Sequence, residues 1–441
     1  MNIVFLWWWG AGLSALANVF QDIGFENIIV LDKNQSEITD KLETKWIKVK
    51  LGEWKYNFEE KDIVIYSDAV INSQDFKNAK KLQKFTYFEF VGEISKYYKT
   101  ISIAWTHWKT TTTSMLLHTY KQLKSDDFAL GIVGGFVKDL DNKNYLINPK
   151  KKEKIKTVFN KILYPKWNHK VEMKEDYFII EACEFNEHFL LLDSYYSLIL
   201  KTDWDHKDFY PTQESYDKAF DWFKEKTSYK VIEQTKCPEY DIKFKYVFGK
   251  HNIQNASILI ELLKNIWYNE KKIIKILGDF QWAWRRQEYL GKINNTTIYT
   301  DYAHHPEEIR VVQKAFKENF PDKKIIWVFQ PHQIFRFLSY ENLFVEMLTR
   351  FNKIFIYDIY SVREKGILEE YSGKSGDSRN LKWEIWEKIA LKCWWKYIKN
   401  LETLVENLEK EEEKWVVVIM TAGDLDYKIR NYLNNLVKSK K

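Results

Sequence analysis

Apolar residues fall into short runs that alternate with longer amphipathic stretches, so strands and helices should take turns along this chain. Asn2 to Leu6 form the first run, and a turn follows around Gly10 and Gly12. Leu13, Leu16, Ala17 and Phe20 then share one face of a helix predicted to end near Ile23, with Gly24 placed to cap it. NIIVLD is a second strand ending in Asp32, about 20 residues after the turn. At that spacing an acid can reach a ribose in a βαβ unit. DIVIYSDAV (62–70) predicts a later strand stopping at Ser67, and a first domain of about 98 residues follows.

TISIA (100–104) opens a second series, with the loop WTHWKT and a helix starting TTTSMLLHTYKQL. DYFIIEAC (176–183) and YSLILKTDWDH (196–206) read as strands ending in acids, and FGKHNIQNASILIELLKNI (248–266) enters a helix through polar residues. A third series begins near Tyr289 with TTIYTDYAHHPEEI, KKIIWVFQPH, KIFIYDIY and WVVVIMTAGD. Such alternation predicts an α/β protein with parallel sheets and ligands beyond the carboxyl ends of the strands. The expected division is 1–98, 99–284 and 285–441.

Composition narrows the functional classes. Basic and acidic residues number 68 and 62 and are mixed throughout, with no long basic stripe, so nucleic acid is not an expected partner. The runs at 150–156 and 409–414 read as solvated faces. Cys183, Cys237 and Cys393 stand singly, which excludes a disulfide framework or a CxxC metal site and suits a reducing compartment. The start enters a strand with no leader pattern, and no apolar run reaches the roughly 18–20 residues of a spanning helix. A cytoplasmic protein without membrane insertion is expected. One anomaly remains: Gly is 15 of 441, about 3% where about 7% is usual, while Trp reaches 19.

Candidate chemistry lies at strand ends. Trp105, Thr106, His107, Trp108, Lys109, Thr110 and Thr111 lie between a strand and a helix N-terminus, where amides and an ammonium can meet phosphate. The strict GxxxxGK[ST] pattern is absent, and a polar helix start would look the same. Thr110 or Thr111, Glu181 and His206 could surround a hard cation, or be a helix start, a strand-end cap and a surface imidazole. His251, Asn252 and Asn255 could cap a helix or bind a base and ribose. His304 and His305, before Pro306, are expected to face a crevice, with Glu307 and Glu308 suiting the helix dipole. Arg285 and Arg286 could clamp phosphate or merely solvate a linker. No role suggests itself for His118, His169 or His188.

Together these segments resemble the Mur ligases, nearly end to end. The likeness rests on GAGLSALA, WTHWKTTTTS, EACEFNEHFL, DWDH, GKHNIQNA, FQWAWRR, DYAHHPEEI, FQPH and the closing AGD, in this order. DYAHHP with the THxKTTTT loop is similar to the branch that adds the first amino acid in peptidoglycan synthesis, a step tied to cell shape and division. The resemblance implies three domains: a Rossmann-like UDP-sugar domain, a P-loop ATPase-like domain and a C-terminal Rossmann-like domain. It implies ATP and Mg2+ as cofactors, UDP-N-acetylmuramate and L-alanine as substrates, and a monomer or weak homodimer. Lys109 would contact the transferred phosphate, and Thr110 or Thr111, Glu181 and His206 would hold Mg2+. His251, Asn252 and Asn255 would lie near the nucleotide, with Arg285, Arg286 and Asp301 from the third domain. His304 and His305 would sit near the reacting groups, and Gly10, Gly12, Asp32 and Ser67 would line the UDP-sugar site. Alternatives are a ligase that reattaches a recycled murein tripeptide and a catalytically dead binding protein; a Rossmann oxidoreductase would leave the second phosphate loop without a job.

The chain departs from this pattern systematically. Trp7, Trp9, Trp105, Trp108, Trp267 and Trp282 stand where the family has glycine, which lets backbone approach phosphate or adopt positive φ. Taken literally, an indole at 108 would damage a ligase. Excess Trp beside scarce Gly, at the tightest turns, instead predicts UGA codons that the cell reads as glycine. Trp204 and Trp284 need no such explanation.

Overall fold

The structure is a computed structural model. It describes residues 2–7, 10–53, 56–104, 108–165, 174–201, 204, 206, 209–332, 340–360, 396–411 and 415–439. The chain divides into two compact units: residues 1–247 with 252–284, and residues 248–251 with 285–441.

The first unit holds two sheets. In the first, β1 (Ile3–Leu6), β2 (Ile28–Asp32), β3 (Lys48–Leu51), β4 (Ile63–Tyr66) and β5 (Gln83–Thr86) lie in the order β3-β2-β1-β4-β5, all parallel. Every residue of β1 and β2 is buried, which is why both read as unbroken apolar runs. Edge strands β3 and β5 carry Lys48, Lys50, Gln83 and Lys84, charges and amides that discourage further pairing. Leu13, Leu16, Ala17 and Phe20 are all buried on the helix Ala11–Asp22. Gly24, at φ +85°, donates to the Gln21 carbonyl and ends that helix as expected. The same helix packs against the second sheet, where Asn144 Nδ2 donates to the Ala11 carbonyl and Ser14 Oγ.

The second sheet comprises β6 (Lys99–Ala104), β7 (Phe128–Val137), β8 (Lys143–Ile147), β9 (Tyr177–Ala182), β10 (Ser194–Ile199) and β11 (Lys230–Glu233). Its order is β11-β10-β6-β9-β7-β8. The strand at 196–206 does not run to its acids: β10 stops at Ile199, and His206 lies beyond it in left-handed backbone, φ +53°. Residues 203 and 205 lie outside the described residues. The basic run at 150–156 is only partly a solvated face, because Lys151 and Lys154 turn inward, each 2.7 Å from an oxygen of buried Asp176. In the other charged run Glu411 pairs with Lys353, and 412–414 lie outside the described residues.

The second unit contains β12 (Glu288–Ile293), β13 (Thr296–Asp301), β14 (Ile325–Gln330), β15 (Ile354–Tyr357), β16 (Lys396–Ile398) and β17 (Val416–Thr421). They lie in the order β12-β13-β17-β14-β15-β16. Two pairs correct the all-parallel expectation: β7 with β8 and β12 with β13 are antiparallel. Their connections are too short for a crossover helix, Asn294 and Asn295 alone joining β12 to β13. Among the described residues no helix is long and apolar enough to cross a membrane.

Candidate active site

β6 and β9 lie side by side, and both point their carboxyl ends at one cluster. Just after β6 the helix Lys109–Leu123 begins, with Trp108 as its N-cap at φ 61°, ψ 10° and no side-chain cap. Trp105, Thr106 and His107 lie outside the described residues. Lys109 reaches across to Glu184, Nζ to Oε2 2.5 Å. Glu184, three residues beyond Glu181, was not singled out from the sequence, although EACE carries both acids. Its side chain is 1% exposed, and Oε1 lies 3.5 Å from His206 Nε2. Burial by itself would raise the Glu184 pKa, but the Lys109 ammonium and then His206 outweigh it and hold the carboxyl below its usual range. Lys109 is correspondingly held above its usual value despite burial. Burial, with Glu184 beside it, pushes the Cys183 thiol up to about 12, so no thiolate serves here at neutral pH.

Glu181, on β9, faces the other side of the same turn. Its Oε2 accepts from Thr110 Oγ1 at 3.2 Å and its Oε1 from the Gly134 amide at 2.7 Å. Thr111 is buried in the helix, which leaves Thr110 as the threonine beside the carboxylate. A hydroxyl and a carboxylate are the oxygen donors a hard cation takes, with water completing the shell. Among the described residues no three His, Cys, Asp or Glu side chains converge as a ready-made metal cage. Asn255 Oδ1 accepts from Gln234 in this unit, while its buried Nδ2 has no partner among the described residues; Asn252 is also buried.

In the first sheet Gly10 caps the helix Ala11–Asp22 and Ser67 follows β4. The spatial need for glycine falls at Gly12, where a Cβ would lie 2.8 Å from Tyr87 Cζ; at Gly10 it would meet only ordinary contacts. Asp32 is buried and accepts from the Asn34 amide. Trp7 is fully buried, with no acceptor for its indole N–H among the described residues.

The second unit carries its own polar cluster. His251 is buried, and burial followed by the Arg286 guanidinium pushes its pKa down to about 3, so its imidazole is neutral. Asp301 accepts from the Gln287 and Ala303 amides at 2.9 Å each, yet burial pushes it up to about 6 against the pull of Arg286. Arg286 stacks on Tyr302, 4.9 Å from the ring centroid. The paired arginines divide: Arg285 is buried, donating to Asp426 Oδ2 (2.9 Å) and the Gly423 carbonyl (3.1 Å). Arg430 donates to the same Asp426 oxygen and to both oxygens of Glu288, completing an ionic ladder. The histidines divide too. His305 is buried against Tyr340 and accepts from the Glu307 amide as helix N-cap. His304 lies near Glu308 (3.2 Å) and edge-on to His332. His118 and His188, without a role in the sequence, sit beside Asp139 and Asp68, and His169 lies outside the described residues.

Of the tryptophans expected at glycine positions, Trp108 and Trp267 have left-handed backbone, whereas Trp7 and Trp282 do not. Trp267 has φ 68°; its N–H bonds the Lys264 carbonyl and that of Tyr268 bonds Leu263, the two hydrogen bonds of a Schellman turn. Trp46, not suspected from the sequence, repeats this with Glu43 and Leu42 at φ 64°. Both indoles are 94% exposed. Trp282 lies edge-on to Tyr246 and accepts from the Lys138 amide; Trp9 lies outside the described residues.

Comparison with known proteins places this geometry. The family model "Mur ligase, glutamate ligase domain" matches residues 285–423. A UDP-N-acetylmuramate–L-alanine ligase of Clostridium botulinum is 31% identical, covering 97% of this chain and 96% of that one. One from Clostridium acetobutylicum is 30% identical over 81% and 82%. The crystal structure of the alanine ligase of Thermotoga maritima shares the fold with a TM-score of 0.74 at 21% identity over 100% of both chains. A murein peptide ligase of Psychrobacter arcticus does so at 0.63 and 16%, over 98% of both. On the strength of these full-length relatives, the chain belongs to the Mur ligase family, in its UDP-N-acetylmuramate–L-alanine ligase branch.

Proposed function

We infer that this protein joins L-alanine to the lactyl carboxylate of UDP-N-acetylmuramate, driven by ATP. The observation that carries the reading is the meeting of Lys109, Thr110 and Glu181 at the carboxyl ends of β6 and β9, in a chain alanine ligases match along nearly its whole length. A carboxylate is a poor electrophile, so phosphorylation must first give it a leaving group. Lys109 neutralises charge on the phosphoryl group in flight. Thr110 and Glu181, with His206 nearby, would hold Mg2+, which when bound would supply further charge neutralisation. The alanine amine then attacks the acyl carbon, a tetrahedral species forms, and phosphate departs. In the second unit neutral His251 would offer a hydrogen bond without charge, and Arg286 a cation, to a bound ligand. His304, the more accessible of the adjacent pair, would be the one to serve the reacting groups, whereas buried His305 shapes the helix start. The helix N-terminus at Gly10 suits a diphosphate.

Phosphate release with ATP and UDP-N-acetylmuramate tests the reading, L-alanine being compared with the murein tripeptide. Release that depends on L-alanine is expected. Tripeptide dependence would favour the recycling ligase. Trp108 at the helix start favours an impaired binding protein if it is real, so the same assay on the chain with glycine at 105 and 108 is decisive. Silence from both versions would overturn ligation.

A further inference from the structure

We propose that Glu184 is a positioning residue of the phosphoryl-transfer centre, holding the Lys109 ammonium and the His206 imidazole on either side of one buried carboxylate until a polyphosphate takes the ammonium over. The proposal rests on the ligase reading above. Each Glu184 oxygen faces a different partner, Oε2 toward Lys109 at 2.5 Å and Oε1 toward His206 at 3.5 Å. A carboxylate 1% exposed is tolerable only when so compensated. Its backbone is pinned as well: the Glu184 carbonyl accepts from the Tyr210 hydroxyl (2.5 Å) and the Glu187 amide (3.0 Å). The two acids therefore divide the turn, Glu181 facing the Thr110 hydroxyl and Glu184 the ammonium. An arriving polyphosphate must compete with Glu184 for that ammonium. The carboxylate thus weakens ground-state phosphate binding while it aims the lysine.

Glu184→Gln keeps the shape and removes the charge, and is tested in the full-length chain. Inorganic tripolyphosphate, followed by calorimetry, should bind roughly tenfold or more tighter. With ATP, kcat should fall roughly tenfold or more while KM for ATP also falls, a split that mere loss of structure would not give. In a Lys109→Met background the same change should cost nothing further. Unchanged binding and kcat, or a loss that simply adds to that of Lys109→Met, would overturn the proposal. If the glutamine variant does not fold, Glu184→Ala, which also removes the charge, gives the same readouts. If the glutamine variant binds tripolyphosphate more tightly but neither it nor the parent ligates, the ligase reading fails while the contest between Glu184 and phosphate for Lys109 is still shown.

A second inference is carried independently by backbone geometry. We infer that residues 46, 108 and 267 are glycine in the polypeptide the cell makes, inserted at UGA codons. Among the described residues, every other non-glycine residue with positive φ is Asn, Asp, Lys, Glu, Gln, Arg or His; tryptophan is the sole apolar type. Such backbone crowds any Cβ, and the exposed indoles at 46 and 267 gain no packing in return. Trp327 is the contrast: 1% exposed in β14, with its ring 4.9 Å from Phe351, it is a true core tryptophan. Peptide mass spectrometry of the protein from its natural source, read beside the gene's codons, tests this. Glycine masses at 46, 108 and 267 with an indole at 327 are expected. An indole mass, or a UGG codon, at any of the three positions overturns it.

Discussion

Replacing Trp267 by glycine should stabilise the first unit, although it deletes a large apolar side chain. A side chain in left-handed backbone costs roughly 1–2 kcal/mol. Glycine returns about 0.4–1 kcal/mol of that through the freer unfolded chain. At 94% exposure the indole buries almost nothing, so no packing loss enters. The net gain is about 0.5–1 kcal/mol. Trp46 has a similar φ, the same pattern of hydrogen bonds and the same exposure, so Trp46→Gly should add a similar amount in the double variant. Urea unfolding followed by far-ultraviolet circular dichroism reads this as a raised midpoint with unchanged slope. Trp46→Ala and Trp267→Ala are the controls: they remove the indole but keep the Cβ, and should gain little. If alanine matched glycine, the benefit would come from losing an exposed aromatic. If glycine lowered the midpoint, the strain argument would be refuted.

Lys109→Met should slow phosphate release roughly 10²–10³-fold and, by taking the ammonium from the buried Glu184 carboxylate, should also lower the unfolding midpoint; a decline in rate under about tenfold, measured on the folded variant, would count against its placing at the phosphate. Asp426→Ala takes the shared carboxylate from the buried Arg285 and from Arg430, and should destabilise the second unit by about 3–5 kcal/mol, read as a fall in the denaturation midpoint. Asp301 should titrate at about 6 by carboxyl NMR. Because that lies above the unfolded value of about 3.9, its burial costs stability that grows as pH rises from about 4 and is complete above 6. At 1.36 kcal/mol per pH unit this comes to about 3 kcal/mol, and a titration near 4 would remove the effect.

The apolar periodicity showed where strands and helices fall because burial on both faces leaves unbroken runs, as in β1, β2 and β17. Sheet edges were harder: β12 and β13 run antiparallel because two asparagines join them, a length the pattern of apolar residues does not reveal. At the candidate site, Lys109, Thr110 and Glu181 were legible since each ends a strand or starts a helix. Glu184 was missed because it lies past the strand in irregular backbone, where no period says which way a side chain points. Adjacent arginines and histidines look alike in sequence. Only burial separates Arg285 from Arg286 and His305 from His304, and burial depends on partners as distant as Asp426. Lys151 and Lys154 teach the same lesson, since nothing in a basic run announces that Asp176 lies beneath it.

The position of β17 bears on how the second unit is made. This strand is the last of its sheet to leave the ribosome, yet it inserts between β13 and β14 at the centre. Until it arrives, the nascent unit holds two half-sheets whose facing rims are unpaired parallel ladders, each able to bond with a neighbouring chain. Assembly of this sheet must therefore wait until β17 has been made, and the interval in which a chaperone could be needed spans nearly the whole synthesis of the strands before it.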